Sequence, residues 1–260
     1  MTLLVIAGAM YAIGSFRLQA SGARVRRVER ASFWIGWSIL LAAQTPWMDR
    51  AAAVSLSAHM SQHEMMMLMG APLVIVGRPV VAWLWALPES SRRRTGGTLA
   101  SVVPRTIWRW LTIPLVAWAL HGAAVWFWHL PILYEAAVSN EAVHAIQHAM
   151  FVGTAVLFWW GLVYGRYGRA AYGASALYVF TTMLHTGLLG ALFALSTTPF
   201  YPVYRDRAHA AGFDPVHDQQ LAGLYMWIPA GVVLTAFGLA LVLAWLSESD
   251  RRAGVHTRAV

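Results

Sequence analysis

The chain of 260 residues is 58% hydrophobic and only 12% charged, with a mean hydropathy of +0.54 and a formal charge of +8. Those proportions exclude an ordinary soluble domain and predict an all-α polytopic membrane protein, one transmembrane helical bundle over residues 1–260. Cysteine is absent and all 19 basic side chains are arginine. Disulfides, thiolate metal sites, c-type haem attachment, a catalytic thiol and the lysine Schiff bases of retinal or pyridoxal chemistry are thereby excluded.

The first apolar run, Thr2 to Phe16, is followed by Arg17, Arg24, Arg26, Arg27 and Arg30. A cleaved signal peptide carries its charge ahead of the apolar run, so this one reads as a retained span that begins outside and extends into the basic stretch. A second span runs from Ala31 to Ala43 and leaves through Gln44, Pro46 and Trp47. The third begins near Val54, with Pro72 predicting a kink and Gly77-Arg78-Pro79 an end. VVAWLWALP then reads as an interfacial continuation with Trp83 and Trp85 as belt residues. Residues 89–106 form a basic cytoplasmic loop. The fourth span, Ile107 to Trp128, carries Pro114 and His121 and leaves through WFWHLP. The fifth covers Glu141 to Tyr164, and the sixth covers Tyr172 to Ser196 with His185 inside it. An outer polar loop, 197–220, holds His209, Asp214, His217 and Asp218; the seventh span, Leu221 to Leu246, leads into a cytoplasmic tail, 247–260, with Arg251 and Arg252.

Seven alternating spans with the N-terminus outside and the C-terminus inside put only Arg50, Arg205 and Arg207 on the outer side and the other 16 arginines on or beside the inner side. That is the bias expected of short cytoplasmic loops, so the basic charge requires no nucleic-acid partner.

The same topology places nine of the ten histidines in outer loops or outer halves of spans, with His256 in the tail. His59 and His63 in HMSQHEMMMLMGAPLVIVGRPV, and His144 and His148 in HAIQHAMF, repeat the pattern H-x-x-Q-H at the head of an apolar helix. A one-turn spacing sets both imidazoles of a pair on one face. His63, His148 and His121 lie roughly 10 Å below the outer surface, and His185 roughly 15 Å. Ionisable groups at such depth face the bundle interior, where they pair, bind a ligand or line a pathway. Imidazole together with thioether, supplied by Met60, Met65, Met66, Met67, Met69, Met150, Met183 and Met226, suits copper as Cu(I) better than a structural zinc centre. Single histidines such as His121 also occur as packing residues, and three consecutive methionines, Met65 to Met67, cannot all face one site. Asp218 reads either as a cap of the seventh helix or as an entry ligand.

HMSQHEMMMLMGAPLVIVGRPV, HAIQHAMFVGTAVLFWW, LHTGLLGALFALSTTPFY and DQQLAGLYMWIPAG, in that order, resemble the CtaG family of caa3-type cytochrome c oxidase assembly factors. The resemblance covers spans three to seven and implies maturation of a haem-copper oxidase, by delivery or insertion of copper from the outer face of a bacterial plasma membrane. It carries over to His59, Gln62, His63, His144, Gln147, His148, His185, Asp218, Gln219, Gln220, Met226 and Trp227, whereas Glu64 departs from the apolar residue expected there. The candidate metal ligands are therefore His59, His63, His144, His148, His185, His121, Asp218 and Met226. Oxidase subunits and an extracytoplasmic copper donor are the expected partners, and no catalytic residue is expected. Two other readings remain: b-type haem between His63 and His148, and a scaffold for oxidase subunits whose histidines only hydrogen-bond internally. A transporter is weaker, because paired half-helices are not evident.

Overall fold

The computed structural model describes residues 1–23, 25–92, 105–164 and 169–257, and within them every regular element is a helix. In chain order these are α1 (Thr2–Ala20), α2 (Arg27–Ala43), α3 (Pro46–Val54), α4 (Leu56–Glu64), a π-helical turn (Met65–Gly70) and α5 (Ala71–Val76). There follow α6 (Pro79–Ala86), α7 (Arg105–Leu111), α8 (Pro114–Trp128), α9 (Pro131–Ser139), α10 (Glu141–Tyr164), α11 (Arg169–Leu195), α12 (Pro202–Ala210) and α13 (Pro215–Thr257).

Prolines set many of these starts. Pro46, Pro79, Pro114, Pro131, Pro202 and Pro215 each occupy a first helical position, where the missing N–H is not needed and the fixed φ is already helical. Several expected boundaries move for that reason. Pro114 divides the fourth span into α7 and α8 and is not an interior residue of it. The 197–220 loop contains a helix of its own, α12, and the last helix starts at Pro215, before Leu221, and runs on through the expected tail to Thr257. Most of the 89–106 loop lies outside the described residues.

At Pro72, where a kink is expected, the helix changes its hydrogen-bond pattern. The π-helical turn precedes it, with the Ala71 amide bonded to the Met66 carbonyl. A wider turn accommodates the ring and the missing donor, and residues 56–76 continue as one segment. The sharp bend comes later, 61° between that segment and α6. There Arg78 adopts a left-handed φ of 52° and lies 3.8 Å from Glu29.

Among the described residues, four helices are long and apolar enough to cross a membrane alone: α1, α10, α11 and α13. Two bent pairs, residues 56–76 with α6 and α8 with α9 at 75°, raise the number to as many as six. The apolar surface faces outward, as lipid requires. Leu177, Phe180, Leu184, Leu188, Leu192 and Leu195 form an exposed stripe along α11, and Val232, Leu239 and Leu243 do so on α13. These two helices cross at small residues, a usual basis for close packing in membranes. A methyl group at Gly190 would lie 2.9 Å from the Gly223 carbonyl oxygen and 3.0 Å from the Trp227 Cβ.

The two ends of the bundle differ. One joins the end of α2, α3, the start of α4, α9, α12 and the start of α13, through bonds such as Gln62 Nε2 to the Ala43 carbonyl (2.6 Å) and Tyr201 Oη to the His129 carbonyl (2.8 Å). Arg50, Arg205 and Arg207 are at this end. The other joins α1, α2 and α6, with Arg17 donating to the Ala86 carbonyl at 2.6 Å.

Candidate metal centre

Ser55 caps α4, its Oγ accepting from the Ala58 amide at 3.2 Å. The carboxylate of Asp218, 163 residues away, completes that cap. It accepts from the Leu56 amide (2.6 Å), the Ser57 amide (3.3 Å), Ser55 Oγ (2.9 Å) and Ser57 Oγ (2.6 Å). An anion at a helix N-terminus satisfies otherwise orphaned donors and the positive end of the dipole. Here one carboxylate in the first turn of α13 does this for α4. Asn140 starts α10, its Oδ1 accepting from the Ala142 (2.9 Å) and Val143 (3.2 Å) amides. Each helix then presents its histidines one turn apart on the face it turns to the other.

The two pairs meet. One ring nitrogen from each of His59, His63, His144 and His148 lies within 4.8 Å of the other three. Nε2 of His59 and Nε2 of His63 are 3.1 Å apart. Ring centroids are 4.1 Å apart for His144 and His148, and 5.2 Å for both His59–His144 and His63–His148. Four nitrogens about 2.0–2.1 Å from one ion in a tetrahedron stand roughly 3.3 Å apart, so the cluster is slightly wider than a closed site of that kind. His59 and His63 are each 2% exposed; His144 and His148 are half-buried, and their Nε2 atoms have no hydrogen-bond partner.

The tautomer of His59 follows from its neighbours. Tyr204 donates its hydroxyl proton to the Ala52 carbonyl at 2.7 Å and lies 2.8 Å from His59 Nδ1. Burial holds the phenol well above its ordinary pKa range, so it stays protonated. Its oxygen therefore accepts from His59 Nδ1–H, and the Nε2 lone pair points into the cluster. A ligating histidine characteristically donates its other ring N–H in this way. Tyr134, with its ring centroid 5.1 Å from that of His59, stacks on Tyr201 at 4.0 Å, and together with Tyr204 these rings cover the cluster on the α9 and α12 side.

The remaining candidates lie elsewhere. Asp218 faces the start of α4, so it caps a helix as one reading had it, but a different helix from its own. His121 and Met226 line a separate cavity beside the cluster, together with Met60, His63, Glu64 and His129. His185 is half-buried on α11 beside Trp118 and Gly122, apart from the cluster, with neither ring nitrogen hydrogen-bonded. The glutamines that accompany the histidines are fully buried. Gln62 Nε2 donates to the Ala43 carbonyl and to Asp49 Oδ1 (2.8 Å), and so holds α4 against α2 and α3. Gln219 bonds the Phe200 amide (2.6 Å) and the Thr198 carbonyl (3.0 Å), and Gln220 bonds the Ser196 carbonyl (3.1 Å). Asp218, Gln219 and Gln220 are thus a clip between α4, the turn after α11, and α13. The sequence reading missed Tyr134, Tyr204 and His129. Tyrosines recurring in LYE and FYPVYR, in segments otherwise read as loops, were the available signal.

No curated protein and no solved structure matches the chain. The family model for cytochrome c oxidase caa3 assembly factors matches residues 9–248. Nearly the whole chain is covered, and the protein belongs to the caa3-type cytochrome c oxidase assembly factor family.

Proposed function

We propose that the protein takes up copper in its four-histidine cluster and passes it to a haem-copper oxidase during assembly, in the plasma membrane of a bacterium. The observation that carries this reading is the convergence of His59, His63, His144 and His148, whose ligand nitrogens lie within 4.8 Å of one another. Copper is favoured because the available donors are imidazole and thioether, and the chain has no thiolate. Transfer by exchange of ligands breaks no covalent bond, so the role is that of a chaperone without catalysis. The cargo comes from an extracytoplasmic donor and goes to oxidase subunits. The spacing also favours an ion over haem, since the ring centroids of His63 and His148 are 5.2 Å apart, too close for a porphyrin to lie between them.

The proposed topology has seven spans, α1, α2, residues 56–76, α7 with α8, α10, α11 and α13, with the N-terminus outside and the C-terminus inside. Its support is the placement of Arg50, Arg205 and Arg207 at the cluster end and of Arg17 and Arg78 at the other, which makes the cluster end the outer one. α2, at 17 residues, is at the lower limit of length for a span.

Metal analysis of the purified protein is the test. The wild type is expected to hold copper stoichiometrically, and a variant with His63→Leu and His148→Leu to hold none at the cluster. An oxidase assembled in cells carrying that variant is expected to lack copper. A fully metallated oxidase made with the variant overturns the copper reading in favour of a scaffold.

A further inference from the structure

Beside the cluster, on the inner side of His63, lies a cavity of about 50 Å³. A water needs roughly 10–15 Å³ of such space, so the cavity admits a few waters or one ion. Its lining is chemically one-sided. His129 is 7% exposed, donates Nδ1–H to the Val125 carbonyl at 2.6 Å, and leaves Nε2 with no partner. His121 Nδ1 lies 3.1 Å from Thr154 Oγ1, whose own proton goes to the Met150 carbonyl at 2.8 Å. The imidazole therefore donates there and keeps a lone pair on Nε2. The other N–H and O–H groups of the wall already have acceptors. Trp159 Nε1 donates to the Met67 carbonyl (2.9 Å), Thr182 Oγ1 to that of Tyr178 (2.8 Å) and Thr186 Oγ1 to that of Thr182 (2.9 Å). Glu64 and three methionines, Met60, Met67 and Met226, complete the part of the lining that can offer oxygen or sulfur.

Once the Glu64 carboxyl gives up its proton, the buried wall presents lone pairs and no free donor, and is complementary to a cation. The two imidazoles, each with Nδ1–H committed to a neighbour, have the arrangement that ligating histidines take. Three methionines in the lining offer thioether donors that suit a soft ion. A single carboxyl balances a single positive charge, which a site within a bilayer requires. We propose that this cavity is a second cation site, for a soft monovalent ion such as Cu(I), filled from the four-histidine cluster through His63. His63 belongs to both sites: Nε2 faces His59, while its buried Nδ1 has no partner. The direction of filling rests on the reading of the cluster as the copper acceptor, whereas occupancy of the cavity is measured separately.

The full-length protein is titrated anaerobically with Cu(I) against a chromogenic competing chelator, and the loaded protein is examined by copper X-ray absorption. Wild type is expected to bind two equivalents, one with sulfur neighbours. Met67→Leu with Met226→Leu conserves volume and so preserves the fold. This variant is expected to lose the sulfur scattering and to bind the second equivalent at least roughly tenfold more weakly. His144→Leu with His148→Leu is expected to keep the sulfur-ligated equivalent. A sulfur-ligated ion as the only equivalent, retained in the histidine variant, supports the cavity and overturns the cluster. One equivalent without sulfur, unchanged by the methionine substitutions, leaves the cluster standing and overturns the cavity as anything but a water pocket. No bound copper in any variant overturns both.

Discussion

His59 is held at both ends of its ring. Tyr204 takes the Nδ1 proton and His63 faces Nε2, so the side chain keeps one tautomer and one direction. Tyr204→Phe removes the acceptor while leaving the ring in place. Copper affinity at the cluster is expected to fall by about 10–100-fold, as for other outer partners of ligating histidines, and a competition titration measures it. Asp218 is a positioning residue of another kind, since its carboxylate fixes the first turn of α4 and through it both histidines. Asp218→Ala leaves four buried donors without their acceptor, and a loss of about 3 kcal/mol or more is expected, seen as a lower thermal midpoint. The i, i+4 histidine pairs were legible in the sequence because a helix converts that spacing into a shared face. The partners of those residues were not. Tyr204 is 145 residues from His59 and Asp218 is 162 from Leu56, and no local pattern encodes contacts across such separations.

Among the elements, those with strong apolar patterns were read well, and the fifth span coincides with α10 at both ends. The misreadings fall at prolines. Pro114 and Pro215 start helices, because a proline costs least where no amide hydrogen bond is required of it. α12 escaped notice because it is only nine residues long, four of them Arg, Asp or His, and sits within a segment rich in turn signals. The α11–α13 crossing gives an element-scale prediction. Gly190→Val places bulk against the Gly223 carbonyl and is expected to destabilise by about 1–3 kcal/mol through overpacking. Gly231→Ala, where an added methyl meets nothing within 4 Å, is expected to be neutral or stabilising by up to about 1 kcal/mol. Thermal unfolding of the two purified variants in one detergent compares them directly.

At the scale of the whole molecule, the membrane character was legible from composition, whereas the number of crossings was not. α2 is short, and two other candidate spans are bent pairs whose path depends on packing as much as on hydropathy. The absence of cysteine allows a clean assignment of sides. Asp206→Cys, at a side chain 81% exposed on α12, is expected to react with a membrane-impermeant maleimide applied to whole spheroplasts. Ser90→Cys, exposed beyond α6, is expected to react only after lysis. The reverse pattern would invert the orientation and put the cluster on the cytoplasmic side.

The Asp218 clip makes the two halves of the cluster mechanically unequal. α4 is fastened at its head to α13, whereas the hydrogen bonds that tie α10 to residues 56–76 lie beyond the cluster, from Trp159 to Met67 and from Tyr164 to Ile75. The outer end of α10 is tied instead to α8, Trp128 Nε1 donating to the Met150 sulfur at 3.2 Å. If the cluster holds copper as proposed, a tilt of that one helix end would part His144 and His148 from the anchored pair and halve the donors on the ion, releasing it while the rest of the bundle stays still.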